Sequence, residues 1–297
     1  MAYNIVVLVK QVPDTKRLTA DAMRDDGTVN RTALPAIFNP EDLYALETAL
    51  RVRERCGGRV TVVTMGPPQA CEALRESLER GADDVVLITD RRAAASDTLA
   101  TSYILSCAVR KLGAGRAVDL VICGRQAIDG DTAQVPPQTA EKLGWPQVTY
   151  VEAVEEIGDG RIVARRNTGR GTERVSCPLP CLLTVTDGGP QPRPPSAKRI
   201  MAVKKARSRA ELERDARDDA EVRARAESLG KRGLLITQWD LDDIEADLAW
   251  CGRDGSPTKV KRIQSVVLTG SGFKKVEPAE EAVAAMVHEL IEDHTIG

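Results

Sequence analysis

Residues 59–87 read RVTVVTMGPPQACEALRESLERGADDVVL, and the fold turns on how this stretch is read. Arg59–Thr64 (RVTVVT) and Asp84–Leu87 (DVVL) are short, Val-rich and bounded by polar or Gly residues. That is the composition of strands buried on both faces of a parallel sheet. Between them Pro68–Arg80 carries a helical pattern that stops at Gly81, a residue able to take the left-handed turn that closes a helix. Working outward, Asn4–Val9 (NIVVLV) and Asp119–Cys123 (DLVIC) are strands of the same kind. Pro40–Arg55 and Thr98–Leu112 are further helices, the second stopping at Gly113. Strand and helix alternate, so the expected fold class is α/β with a doubly wound, mostly parallel sheet.

After Pro146 the pattern changes. Val148–Val154, Arg161–Arg166, Gly171–Ser176 and Leu182–Thr186 are strand-like, with a Gly-Asp-Gly turn at 158–160, and predict a β-hairpin addition followed by a returning strand. Gly188–Pro195 (GGPQPRPP) suits neither helix nor central strand. Ala206–Arg232 is dense in alternating charge, with Glu213/Arg217 and Glu221/Arg225 at i,i+4, and reads as a solvated helix. The last segment holds Ile236–Leu248 with an acidic turn, the loop Gly252–Val260, an apolar run Ser265–Leu268 and a final helix from Pro278 to about Glu292. Its apolar content is too thin for a core of its own, so it is expected to pack on the main domain or another subunit. The division expected is 1–195, 196–233 and an extended C-terminal arm, 234–297.

Composition excludes several classes of function. Forty-two Lys plus Arg oppose 44 Asp plus Glu, and the aromatics are four Tyr, three Trp and two Phe. Neither a basic footprint nor a base-stacking platform for nucleic acid is present. No stretch approaches the roughly 18 to 20 apolar residues of a membrane span, and the first strand begins with no basic leader before it, so a cytoplasmic protein is expected. Seven cysteines, an odd number spread along the chain, do not make a disulfide framework. Cys177-Pro-Leu-Pro-Cys181 lacks a second pair or a nearby His for a metal site and reads as packing. The two histidines, His288 and His294, both lie in the tail, which disfavours a His-based nucleophilic relay.

The chemistry concentrates after the fourth strand. No G-x-G-x-x-G follows the first strand, and Gly270–Lys275 does not have P-loop spacing. Instead Cys123 is followed by GRQAIDGDTAQVPP and a helix from about Pro137 to Leu143. A polar loop that leaves the carboxyl end of a strand and enters a helix is where open α/β sheets bind ligands. Gly124 and Gly130 permit close backbone approach, Thr132 offers a hydroxyl, and the N–H groups of Ala133, Gln134 and Val135 sit at a helix start suited to phosphate. Asp129 and Asp131 either cap that helix or accept bonds from ribose hydroxyls.

Four segments, in order along nearly the whole chain, carry a resemblance: VVLVKQV at 6–12, the helix start at Asn39-Pro40, GRQAIDGDTAQV at 124–135, and PRPPSAKRIMAVKK at 192–205. Together they resemble the beta subunit of electron transfer flavoprotein, whose fold is an adenine-nucleotide-binding, Rossmann-like sheet. The resemblance implies an alpha subunit carrying an electron-transferring FAD. It also implies a site in this chain for AMP, as a structural ligand, or for a second FAD. Ligand contact is implied for Leu8, Val9, Asn39, Pro40, Glu41, Asp42 and Met65, and for Gly124, Arg125, Gln126, Ala127, Ile128, Asp129, Gly130, Asp131, Thr132, Ala133, Gln134 and Val135.

Ser96–Ser102 (SDTLATS) further resembles the electron-bifurcating group, in which two threonines lie beside the second flavin; here they are Thr98 and Thr101. Three apart on a helix, they share a face. The alternative is an Asp97 cap followed by two ordinary helix threonines. GSPTKV at 255–260 resembles the same group. The implied function is hydride acceptance from NADH at a beta-site FAD. One electron then goes to a low-potential acceptor such as ferredoxin or flavodoxin. The other goes through the alpha-subunit FAD to a flavin-dependent dehydrogenase, acyl-CoA dehydrogenase-like or quinone-linked. No side chain need act as a nucleophile. Arg125 is either a group tuning the flavin or a solvent-facing arginine at a strand end.

Departures from the family pattern are Pro136 in place of Gly, with the helix expected to start later or more rigidly, and Ala197 where the recognition loop presents Leu. The charged helix and tail after Ala206 are longer than in the shortest members, which points to further partner contacts. Two other readings stand beside bifurcation. One is a simple electron carrier with structural AMP, and the other is an adenine-nucleotide-binding regulatory module of universal-stress-protein type.

Overall fold

A computed structural model describes residues 2–14, 35–259 and 275–292. The run Ser265–Leu268, Val260 and His294 lie outside the described residues, as does most of Gly270–Lys275. The chain begins with β1 (Tyr3–Leu8), followed by a small antiparallel pair, β2 (Gln11–Pro13) and β3 (Ala36–Phe38). Then come α1 (Pro40–Cys56), β4 (Gly58–Met65), α2 (Cys71–Arg80), β5 (Asp84–Ile88), α3 (Thr98–Gly115), β6 (Leu120–Gly124) and α4 (Val135–Leu143). β7 (Gln147–Gly158), β8 (Arg161–Asn167) and β9 (Thr172–Pro178) form an antiparallel ribbon, after which β10 (Cys181–Val185) returns. The remaining elements are α5 (Ala197–Val203), β11 (Arg207–Ser208), α6 (Arg209–Asp215), α7 (Asp219–Lys231), β12 (Leu235–Trp239), α8 (Gly252–Gly255) and α9 (Glu280–Glu292).

Among the described residues, ten strands make one sheet in the order β11-β12-β5-β4-β1-β6-β10-β7-β8-β9, parallel as far as β7. Successive residues of a strand face opposite sides. Ile5 and Val7 of β1 therefore join the core under α1 and α2, while Val6 and Leu8 join the core under α3 and α4. This is why the parallel strands read as unbroken apolar runs. The chain leaves β1 toward β4 and β5, then crosses back to β6 on the other side of β1. The topological switch point lies between the ends of β1 and β6, where Leu8 pairs with Cys123.

The expected alternation and hairpin addition are both present, with differences in detail. The turn at 158–160 is built by left-handed Asp159 (φ 50°) and Gly160 (φ 72°), the backbone that a tight hairpin needs. α3 does not stop at Gly113. It runs to Gly115, so Gly113 is an interior glycine and not the cap. α4 starts earlier than expected, at Val135, and takes Pro136 and Pro137 into its first turn, where a missing N–H costs no intrahelical bond. The charged stretch 206–232 is two helices, not one, because α6 ends at Asp215 and Asp218 caps a new start. The ion pairs of this stretch include Arg209–Glu213, Arg225–Glu221 and Lys231–Glu227; α6 has ended before Arg217 can reach Glu213 in helical register.

The largest difference concerns the C-terminal segment. Leu235–Trp239 is not part of an uncored arm but a strand of the main sheet, paired in parallel with β5. Leu241, Ile244 and Cys251 are buried in the core under α3. Burying side chains of this size stabilises by about 1.5–3 kcal/mol each, enough to hold the segment onto the sheet. α9 differs: none of its residues is buried, and Val283, Val287 and Ile291 form an exposed apolar row.

Candidate functional site

Every residue expected at the site lies at the carboxyl edge of the parallel strands or on a helix that starts there. Leu8 ends β1, Val9 follows it, Met65 ends β4 and Gly124 ends β6. Asn39 is the N-cap position of α1, with Pro40, Glu41 and Asp42 in its first turn. Thr98 and Thr101 lie in the first turn of α3, residues 125–134 form the loop, and Val135 opens α4. The structure brings all of them to one edge.

The first turn of α1 organises this edge. Asp42 is buried and accepts from the Lys10 N–H (2.8 Å) and the Gly124 N–H (3.1 Å), bridging the ends of β1 and β6 across the switch point. Burial without a paired cation pushes its carboxyl up to about 7, against the pull of those N–H donors. Asn39 is fully buried; its Nδ2 donates to the Gln126 carbonyl (2.8 Å) and its Oδ1 accepts from the Ile128 N–H (3.2 Å). Glu41 accepts from the Arg125 guanidinium (2.6 Å) and the Gln126 N–H (3.1 Å). These side chains hold the loop against α1. A Cβ on Gly124 would collide with Asp42, so the strand end must be glycine for the helix to approach.

Two links within the same edge were not singled out from the sequence. Lys10 pairs with Asp129 (2.7 Å), and Gln126 Nε2 donates to Asp131 (2.8 Å). Asp129 and Asp131 therefore neither cap α4 nor stand free. Arg125 is partly exposed but held in place. It is ion-paired to Glu41, and its guanidinium lies 5.7 Å from the centre of the Tyr150 ring. Its Nε is buried with no partner among the described residues. Tyr150 itself takes a left-handed backbone (φ 59°) beside an irregularity in β7, a strained position that no residue preference in the sequence announces.

The loop ahead of α4 is left open on its outer side. Asp131 (φ 49°) and Ala133 (φ 52°) are left-handed, and Gln134 returns to the right-handed region. Such alternation turns consecutive N–H groups to one side, as in an anion-binding nest. Among the described residues, nothing accepts from the N–H groups of Thr132 through Val135, and the first intrahelical bond is Gln138 to Gln134 (3.0 Å). A side chain at Gly130 would meet nothing among the described residues. The loop thus offers unpaired donors at the positive end of a helix dipole, with room beside them, and fits a phosphate.

α3 forms the adjoining wall. Asp97 caps it by accepting from the Ala100 N–H (2.9 Å), and the Thr98 hydroxyl donates to the Gln134 side-chain carbonyl (2.9 Å), joining the start of α3 to the start of α4. The Thr101 hydroxyl has no partner among the described residues, so it is available to a ligand. Among the described residues no cluster of metal-ligating side chains occurs, all seven cysteines are free, and no helix is long and apolar enough to cross a membrane.

Comparison with known proteins agrees with this geometry. Residues 26–211 match the electron transfer flavoprotein domain. The chain is 42% identical over 293 residues to the electron transfer flavoprotein subunit beta of Clostridium acetobutylicum, covering 99% of this chain and 100% of that protein. It is 39% identical to protein FixA of Bradyrhizobium diazoefficiens over 95% of this chain and 89% of that one. It is also 39% identical to the caffeyl-CoA reductase-Etf complex subunit CarD of Acetobacterium woodii, over 99% of this chain and 100% of that one. The regulatory-module reading is thereby set aside, and the chain belongs to the electron transfer flavoprotein family, among its beta subunits.

Proposed function

We propose that the site at the switch point holds FAD and that the chain is the beta subunit of an electron-bifurcating electron transfer flavoprotein. The observation that carries this reading is the joining of the Thr98–Thr101 turn to the phosphate loop through Thr98 and Gln134, with the Thr101 hydroxyl left over. AMP needs only the nest at Thr132–Val135 and the edge formed by Leu8, Val9, Met65 and Gly124. A longer ligand extending past its phosphates meets the start of α3. Relatives named as subunits of caffeyl-CoA reductase and acryloyl-CoA reductase electron-transfer complexes support the same direction.

When bound, the flavin supplies the redox chemistry, taking hydride from NADH and giving electrons up singly to ferredoxin or flavodoxin and toward a dehydrogenase. This chain's part is binding and orientation. The N–H groups of Thr132–Val135 and the Thr132 hydroxyl hold phosphate, the buried Asn39 and Asp42 keep the cradle in place, and Arg125, fixed by Glu41, places a positive charge beside the strand ends. The partner carrying the second flavin is an alpha subunit, and the exposed row Val283, Val287 and Ile291 of α9 offers it an apolar face. α5, with Met201 exposed, is the segment proposed to meet the dehydrogenase, acyl-CoA dehydrogenase-like or quinone-linked. Seven free thiols suit a reducing, cytoplasmic setting.

Releasing the ligand from the purified heterodimer and identifying it by chromatography tests the reading. Two FAD per pair, with prompt reduction of one by NADH, is the expected result. One FAD and one AMP, with no reduction by NADH, would leave the simple-carrier reading in its place.

A further inference from the structure

The start of α3 is held by more than its cap. Besides the Ala100 N–H at Oδ1, Asp97 accepts the Thr258 N–H at Oδ2 (2.9 Å), and its own N–H donates to Ser256 Oγ (2.9 Å). Ser256 is 3% exposed, and its hydroxyl donates to the Gly252 carbonyl (2.6 Å), while the Gly252 N–H donates to Ser96 Oγ (3.1 Å). Gly252 is left-handed (φ 62°), and a Cβ there would collide with the Arg92 carbonyl. Gly252, Ser256 and Thr258 are thus tied to Ser96 and Asp97 by three hydrogen bonds. The bonds join segments about 160 residues apart in the chain.

An ordinary N-cap needs one side-chain oxygen, and a helix of 18 residues buried along one face does not need a second tie to form. Here both carboxylate oxygens and the backbone N–H of the capping residue are taken up. The residue after it is Thr98, whose hydroxyl reaches the phosphate loop. A shift of Asp97 would therefore move Thr98 and Thr101 relative to Thr132–Val135.

We infer that Asp97, Ser256 and the Thr258 amide form a clip whose task is to position Thr98 and Thr101, and that this clip selects FAD over AMP in the site. The inference rests on the reading of the site as one for FAD. AMP occupies the phosphate loop and the strand ends, which the clip does not touch. The additional phosphate, ribityl chain and ring of FAD must pass the first turn of α3, which the clip fixes. Asp97, Ser256 and Thr258 are positioning residues; the groups meeting ligand are the threonine hydroxyls. Burial works against the charge of Asp97, but the N–H donors of Ala100 and Thr258 outweigh it and hold its carboxyl below the usual value, so the clip's bonds are charge-assisted.

Asp97→Asn is the direct test. Asn caps helices as well as Asp, yet one of its two side-chain acceptors becomes an amide that cannot accept from an N–H. Ser256→Ala breaks the other bond, and Ser256→Thr keeps the hydroxyl. Each variant is made in the heterodimer with its alpha subunit, and FAD and AMP affinities of the beta site are measured by equilibrium dialysis, together with the visible circular dichroism of the beta-site flavin. For Asp97→Asn and Ser256→Ala the expected result is FAD affinity weakened about tenfold, AMP affinity within about twofold of wild type, and an altered flavin spectrum. Ser256→Thr should restore both. Equal weakening of FAD and AMP, or no change in either, overturns the clip. A wild-type heterodimer that takes AMP and refuses FAD removes the FAD reading itself, and the two failures are read from different proteins.

Discussion

The Asp42 carboxylate lies 3.1 Å from the Gly124 amide nitrogen and also accepts from the Lys10 N–H, so that a side chain from α1 bridges the strands on either side of the switch point. A Cβ on Gly124 would fall on the same carboxylate oxygen and 2.8 Å from the Glu41 carbonyl carbon. The backbone there has no room to yield without moving α1. Gly124→Ala should lower stability by about 1–3 kcal/mol and displace the loop that follows. A urea midpoint equal to wild type would show that α1 can retreat freely.

Asp42 also makes stability depend on pH in a direction opposite to most carboxylates. Its folded value of about 7 lies above the ordinary 3.8, so between roughly pH 4 and 7 the folded chain holds a proton that the unfolded chain has released. Its contribution to stability therefore falls as pH rises through that window and levels off above it. Asp42→Asn, which cannot ionise, should gain on wild type between pH 5 and pH 8 in paired urea titrations. A constant difference across that range would mean that Asp42 is already ionised at pH 5.

Thr132 is exposed at the open side of the nest and has no partner among the described residues. Thr132→Val keeps the volume and removes the hydroxyl. If that hydroxyl meets a charged phosphate oxygen, nucleotide affinity should fall by about 1–3 kcal/mol with thermal stability unchanged. Calorimetric titration of the apo-heterodimer measures the difference, and full retention of affinity takes Thr132 out of the site.

Two truncations separate the parts of the C-terminal segment. Ending the chain at Arg232 removes β12 together with the buried Leu234, Ile236, Leu241, Ile244 and Cys251, and should leave an insoluble or molten subunit. Ending it at Lys259 keeps that core and should leave the thermal midpoint near wild type, with helix content lowered by no more than α9, while weakening association with the alpha subunit through loss of α9. Sedimentation velocity of the pair reads the second effect. Tight pairing without residues 260–297 would assign the interface elsewhere.

The parts of this molecule legible in its sequence are those where burial leaves a local mark. β1, β4, β5 and β6 are buried on both faces and so appear as unbroken Val and Ile runs. The polar loop 124–135 stands out because it interrupts that pattern at a strand end. β12 was not legible, since LITQW is only partly buried, with Leu235 and Thr237 exposed, and both its partners, β11 and β5, lie away from it in sequence. Gly113 misled because a glycine inside a helix costs only about 1 kcal/mol, and the packing of α3 overrides it. At the site, the residue list could be drawn up, but its internal wiring could not. Nothing local says that Asn39 reaches Gln126, that Lys10 reaches Asp129, or that Ser256 and Thr258 meet Asp97, because each bond joins segments that only the sheet topology brings together. Left-handed Ala133 and Tyr150 were hidden for another reason: neither residue type favours that backbone.

The insertion of β10 between β6 and β7 has a consequence for the nascent chain. β6 and β7 follow one another along the polypeptide, separated by α4, yet they do not touch; the slot between them is filled by β10, emerging after the whole ribbon of β8 and β9. Until Cys181–Val185 has left the ribosome, the facing edges of β6 and β7 present unpaired N–H and C=O groups flanked by Val, Ile and Leu side chains. An edge of that kind is what recruits a strand from another chain. Pausing or premature termination between residues 158 and 181 is therefore the point in synthesis at which this protein is most exposed to aggregation, and the point at which a holdase chaperone has most to shield.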